Sequence, residues 1–130
     1  MRALLPPGWP RPKGYANGVT AKGRIIVTAG VVGWNAREEF ETDDLAGQFR
    51  QILLNTLAIL AEDGAGPEHV ARMTCYVTDI EDYRASLAGI GAAWRELMGK
   101  NFPAMAVVGV TALVEPKARI EIETTAMVPE

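Results

Sequence analysis

The sequence is short of the side chains that most often carry out chemistry. Its 130 residues include one cysteine (Cys75), one histidine (His69) and one serine (Ser86). A lone cysteine forms no internal disulfide, and one Cys with one His does not supply a zinc site of the usual kind. A Ser-His-Asp or Cys-His triad would have to draw on those three residues. Cations are outnumbered, 13 Lys and Arg against 16 Asp and Glu, for a net charge of −3. A bulk basic footprint is therefore missing, and no nucleic acid is expected as a partner. No uninterrupted apolar run approaches the roughly 20 residues of a membrane-spanning helix, so no membrane is expected either. The opening Met1–Gly8 has one basic residue and two leucines cut off by prolines. It does not read as a secretory signal, and the expected location is cytoplasmic. What remains is chemistry by carboxylates, backbone amides or shape, with no metal.

What is present suits an ordinary folded domain. Hydrophobic residues make up 48% and charged residues 22%, enough apolar side chain to offset the entropy of ordering. The length fits one domain, taken as residues 14–130, with residues 1–13 as a separate arm. Four of the eight prolines (Pro6, Pro7, Pro10, Pro12) fall in that arm. Proline fixes φ and removes a donor, which predicts an extended segment, neither strand nor helix. Trp9 in its middle points to docking on the chain's own core or on a neighbour.

Periodicity gives the order β-β-α-β-α-β-β. Residues 15–21 and 24–32, separated by Lys22-Gly23, predict a hairpin. A polar loop carrying Trp34 follows. Thr42-Asp43-Asp44 is a helix start with acids in the first turn. Leu45, Phe49, Ile52, Leu53, Leu57 and Leu60 continue it as one apolar stripe, ended by Asp63-Gly64. Val70 to Thr78 alternates, with Ala71, Met73, Cys75 and Val77 on the inner face and Cys75 expected to be inert core. A second helix starts at Asp79–Asp82 and ends at Gly99, with Tyr83, Leu87, Ile90 and Trp94 in its stripe. Pro103 opens a strand, and Ala118 to Val128 is the last, with Ile120 and Ile122 opposite Glu121 and Glu123. Two helices cover one face of one sheet. Met105, Val107 and Tyr76 are expected on the second face among polar neighbours, which predicts that this face is buried in an oligomer.

These elements carry an ordered set of phrases. Gly14-Tyr15-Ala16-Asn17-Gly18-Val19 opens it, and Ile25-Ile26-Val27-Thr28-Ala29-Gly30 follows. Gln48 with Asn55 to Leu60 comes next, then Cys75-Tyr76-Val77-Thr78-Asp79, Phe102-Pro103-Ala104, and Arg119 to Glu123 with Ala126. Together they resemble the Rid (YjgF-like, reactive intermediate deaminase) family over residues 14–128. The resemblance implies a chorismate-mutase-like α+β subunit, assembled as a homotrimeric barrel with clefts at the subunit interfaces. It also implies hydrolysis of enamines or imines, such as 2-iminobutanoate and 2-iminopropanoate, to a keto acid and ammonia without a cofactor.

The same resemblance sets the expected site. The family's arginine, which grips the substrate carboxylate, is matched by Met105. Its Ser and Gln in the second strand are matched by Ala29 and Val31, its helix Asn by Leu87, and a Cys by Val107. Each replacement is apolar. Tyr15, Gly30 and Glu121 are retained, and Glu121 is the residue expected to position or activate water. Backbone N–H groups at Gly30 and Val107 are candidate anion donors. Trp34 is a candidate wall, and Glu121 is expected to sit against Met105, Val107 and Ala29. These features point to an imine hydrolase with a more apolar small-molecule substrate. The alternative is a non-catalytic trimer that binds a small metabolite in the same cleft. For Glu121 itself, an ion pair with Arg119, Arg72 or a neighbour's Arg is the competing structural role.

Overall fold

The computed structural model describes residues 1–130. Its sheet, with the helices packed on one face, gives the expected α+β arrangement. In chain order the elements are β1 (Arg2–Ala3), β2 (Val19–Thr20), β3 (Arg24–Val27), β4 (Val31–Val32), α1 (Leu45–Ala61), β5 (Val70–Val77), α2 (Ile80–Ala85), α3 (Leu87–Leu97), β6 (Ala104–Gly109) and β7 (Ile120–Val128). The main sheet runs β3-β7-β5-β6, with β4 continuing along β7. Only β5 and β6 are parallel, which the α2–α3 crossover between them requires. No helix is long and apolar enough to cross a membrane.

Strand parity builds the core. Met73, Cys75 and Val77 of β5 and Ile120, Ile122 and Ala126 of β7 are all fully buried. Against them lie Phe49, Ile52, Leu53 and Leu60 of α1 and Ile90 and Trp94 of α3. The Cys75 thiol is pushed up to about 12 by burial, so it carries no thiolate at neutral pH and acts as core. Gln48 is the polar exception. Fully buried on α1, it donates to the Thr42 and Lys117 carbonyls (3.2 and 3.0 Å) and accepts from the Arg119 N–H (2.8 Å). One side chain thereby satisfies three backbone groups and ties the start of α1 to the start of β7.

Several local expectations are corrected. The hairpin between 15–21 and 24–32 does not form. β2 pairs with β1, Arg2 opposite Thr20 and Ala3 opposite Val19, so the start of the arm is a short strand. β3 instead pairs with the C-terminal β7. Gly23 has φ +147, and a Cβ there would lie 2.1 Å from the Val128 carbonyl oxygen. That glycine lets the chain pass the end of β7 and does not serve a hairpin turn. Further upstream, the Ala16 N–H donates to the Pro103 carbonyl (2.9 Å), which holds residue 16 against the β6 edge.

The second predicted strand is interrupted at residues 28–30. Val27 faces Thr125 and Val31 faces Ile122, one extra residue on the β3–β4 side, as in a bulge. The predicted second helix is broken at Ser86, where φ −100 and ψ 6 leave the α region. Its hydroxyl donates to the Asp82 carbonyl (2.7 Å). A register shift between Val70 and Arg72 buries Val70 and leaves Ala71 only half-buried. α1 starts at Leu45, with Asp44 as its cap and no acid in its first turn.

Candidate functional site

A cavity of about 530 Å³ opens where α3 crosses β6, within the range of small-molecule sites. Its floor is Met105 and Val107, which stand opposite Met73 and Cys75 in the parallel ladder. Both therefore face the helices, and the expectation that they share the second face with Tyr76 is corrected. The back wall is Trp94, stacked on Phe102 at 6.2 Å between centroids and 9° between planes. Leu87 and Ile90 come from α3, and Tyr83 from α2. Burial pushes the Tyr83 hydroxyl up to about 12. Tyr15 closes the outer side, placed there by the bond from Ala16 to Pro103. The cavity thus gathers Tyr15, Leu87, Met105 and Val107 of the expected site.

Glu121 is not among the lining residues, and neither are Ala29, Gly30 or Trp34. In the register, Glu121 stands beside Tyr76 of β5 and Val32 of β4. Its neighbours Ile120 and Ile122 point under the helices, so Glu121 points to the opposite face of the sheet. The expected contact of Glu121 with Met105 and Val107 is absent within one subunit. Glu121 does meet Gly30: a Cβ on Gly30 would lie 2.6 Å from Oε2 of the carboxylate. Only glycine leaves room at the bulge for the acid to lie over the backbone. Ala29 and Gly30 are exposed there, and the Thr28 hydroxyl donates to the Ala29 carbonyl (2.8 Å).

Glu121 makes no ion pair in the subunit. Arg119 is turned to Asp43 (3.2 Å) and Asp82 (3.6 Å), and Arg72 is exposed without a carboxylate partner. A polar group beside Glu121 that the sequence reading did not assign to the site is Tyr76. Its hydroxyl donates to Glu123 (2.6 Å). That bond pushes its pKa up, with desolvation and the charges of Glu123 and Glu121 adding to it. Trp34 belongs to a separate cluster, with its ring 5.9 Å from Phe40 and its carbonyl accepting from Asn55 (2.7 Å). His69 is half-buried, and its Nδ1 accepts from the Gly66 N–H (3.0 Å), a local structural role. No cluster of His, Cys, Asp and Glu has the makings of a metal site.

The sequence reading also missed Lys13 and Arg95, which line the cavity mouth. Helical spacing held the signal for Arg95: Leu87, Gly91 and Arg95 recur every four residues on one face.

The family model described as "Endoribonuclease L-PSP" matches residues 10–128. The chain belongs to the Rid/YjgF family. A 2-iminobutanoate/2-iminopropanoate deaminase of Escherichia coli K12 is 33% identical over 114 residues, 87% of this chain and 86% of that one. A RutC family protein of Haemophilus influenzae is 31% identical over 106 residues, covering 81% and 80%. Among solved structures, the Rid family protein YyfB of Yersinia pestis superposes with a TM-score of 0.85 at 33% identity, over 98% of both chains. The YjgF gene product of E. coli gives 0.70 at 29% identity over the same share. The α+β fold of the Rid family, with its helices on one face of a mixed sheet, is therefore that of this chain.

Proposed function

We propose that this protein is an enamine or imine hydrolase of the Rid type, acting on a substrate more apolar than 2-iminobutanoate. The observation that carries the reading is the Glu121 carboxylate, half-buried over Gly30 and without an ion pair within the subunit. A strand acid kept for structure would be expected to have found a cation. The name of the E. coli relative supports the reaction class.

The chemistry asks little of the protein. An imine carbon is electrophilic, more so when its nitrogen is protonated. Water adds to it as Glu121 accepts a proton, and the same carboxyl returns that proton to nitrogen. The tetrahedral carbinolamine then collapses to a carbonyl and ammonia. The balance is one imine and one water to one carbonyl compound and one ammonia. In this reading Met105 and Val107 hold an apolar body, and Tyr15 offers a hydroxyl at the rim.

Because Glu121 and the cavity lie on opposite faces of one sheet, the reading requires a second copy. A homotrimer, in which the open face of one subunit brings Glu121 and Gly30 to the cavity of the next, meets that requirement. Ile25, Val27 and Val108 are 62%, 69% and 41% exposed on the open face and supply apolar surface for such an assembly. Residues 14–130 would form the catalytic domain and residues 1–13 an appended arm. The cavity's apolar lining also favours a second reading, a trimer that binds a metabolite without turnover.

The test is ammonia release from freshly generated 2-iminobutanoate by wild type, Met105→Arg and Met105→Arg/Glu121→Gln, with assembly checked by sedimentation. We expect wild type to be nearly inert and Met105→Arg to be active, because a guanidinium restores a bidentate carboxylate partner. Adding Glu121→Gln should then lower the rate about 100-fold. Unchanged turnover on that addition would remove Glu121 from the mechanism. Inactivity of all three would favour the binding reading.

A further inference from the structure

The cavity is uncharged and mostly apolar in its depth, and its two charged lining residues are exposed cations. Nine of its thirteen lining residues are hydrophobic, and the other four are Lys13, Gly14, Gly91 and Arg95. None is acidic. The two cations are exposed, whereas Phe49, Ile90 and Trp94 are at most 8% exposed. Charge is thus confined to the rim, while apolar surface runs from the rim, where Tyr15, Leu87 and Phe102 are exposed, into the interior.

Both cations are unengaged within the chain. The acid next to Arg95 is Glu96, and Arg50 of α1 holds it at 2.6 Å. Arg95 instead folds back along α3. A Cβ on Gly91 would lie 3.3 Å from its Nη1, so Gly91 gives the guanidinium room to lie against the helix at the rim. Lys13 is exposed and joins the lining from the segment that the Ala16–Pro103 bond ties to the β6 edge.

We infer that this cavity binds an amphipathic carboxylate, an aromatic or branched aliphatic acid. Its carboxylate sits at the mouth between Lys13 and Arg95, and its body lies on Trp94, Phe102 and Met105. Desolvation fixes that orientation. A carboxylate pushed to the floor at Met105 and Val107 would meet no cation there, only the neutral Tyr83 hydroxyl and Trp94 indole of the lining, at the cost that burial of an ion without a counter-charge carries. At the mouth it keeps water on one side and gains two cations on the other. The inference rests on the cavity being the ligand site of the proposed function. It narrows the substrate to acids whose carboxylate is separated from the reacting carbon by an apolar spacer. A small 2-imino acid, with the two groups adjacent, does not span rim to floor.

Binding without turnover tests this. Isothermal titration would compare 3-phenylpropanoate with its neutral analogue 3-phenylpropan-1-ol, on wild type and on Lys13→Gln/Arg95→Gln. Wild type should bind the acid at least tenfold more tightly than the alcohol at low salt. That ratio should fall toward one in the double variant, and also near 1 M salt, where screening acts within about 3 Å. The alcohol's affinity should stay within twofold between the two proteins. Equal binding of acid and alcohol by wild type, a preference that survives the double variant, binding of neither ligand, or a collapse of alcohol binding in the variant would each overturn the inference. The outcome separates from that of the catalytic test. A lost preference alongside Glu121-dependent ammonia release sinks this inference alone, and an intact preference without ammonia release sinks only the hydrolase.

Discussion

The two faces of β7 differ more than its sequence of alternating residues suggests. Ile120, Ile122 and Ala126 are wholly buried under the helices, while on the other side Glu121 is half-buried and Glu123 is exposed. One face is completed by intrachain packing. The other mixes acids, Tyr76 and Arg72 with exposed Ile25 and Val27, and is complete only in part. Residues one position apart thus serve different ends. Ile122 answers to the stability of the fold, and Glu121 answers to what approaches from outside.

The sharpest way to break that contrast is to truncate both. Ile122→Ala should cost about 2–5 kcal/mol of unfolding free energy, because a fully buried side chain leaves a cavity beside a strand paired along both edges. Glu121→Gln should change stability by less than about 0.5 kcal/mol. Urea unfolding of the two variants measures the difference. Equal losses would mean that the open face is as much a part of the core as the covered one.

Gln48 tests the polar exception on the covered side. Replacing it by Leu keeps the volume roughly constant but strands the Thr42 and Lys117 carbonyls and the Arg119 N–H. Buried groups left unpaired set the scale, and the expected loss is about 2–3 kcal/mol. A smaller loss would show that water enters between α1 and the start of β7.

Strand parity made much of this legible. Alternation in Ile120–Val128 told which residues are covered, and the stripe in α1 told what covers them. Pairing was harder, because β3 finds its partner in β7, about a hundred residues along the chain, and local patterning favours the nearer segment. Lys22-Gly23 looked like a hairpin turn, while the glycine was needed for close passage by Val128. The face of Met105 and Val107 was misjudged for the same reason. That Met105 and Val107 share a face follows from sequence, but which face that is depends on their register with Met73 and Cys75. Only that register separates them from Glu121. Arg95 was readable from helical spacing, whereas Lys13 reached the cavity through the arm's contact with the β6 edge, which no periodicity encodes.

The smallest expected effect lies at the start of α1, on the helical layer that makes the covered face. The first turn of α1 contains no acidic side chain, so the anion at the helix N-terminus is the cap itself. Asp44 accepts from the Gly47 N–H at 2.8 Å and from the Thr42 hydroxyl. The bond from Thr42, then that from Gly47, hold the Asp44 carboxyl below its ordinary range. A depressed native pKa means that the unfolded chain binds the proton more readily. The cap's contribution is therefore fully present above the ordinary aspartate pKa of about 4 and is lost as the pH falls through the lower native value. Asp44→Ala should cost about 1 kcal/mol at neutral pH, and its deficit against wild type should shrink below about pH 4. Asp44→Asn should retain most of the cap and lose that pH dependence. A deficit for Asp44→Ala that stays constant down to pH 2 would show that the side chain's shape, and not its charge, starts the helix.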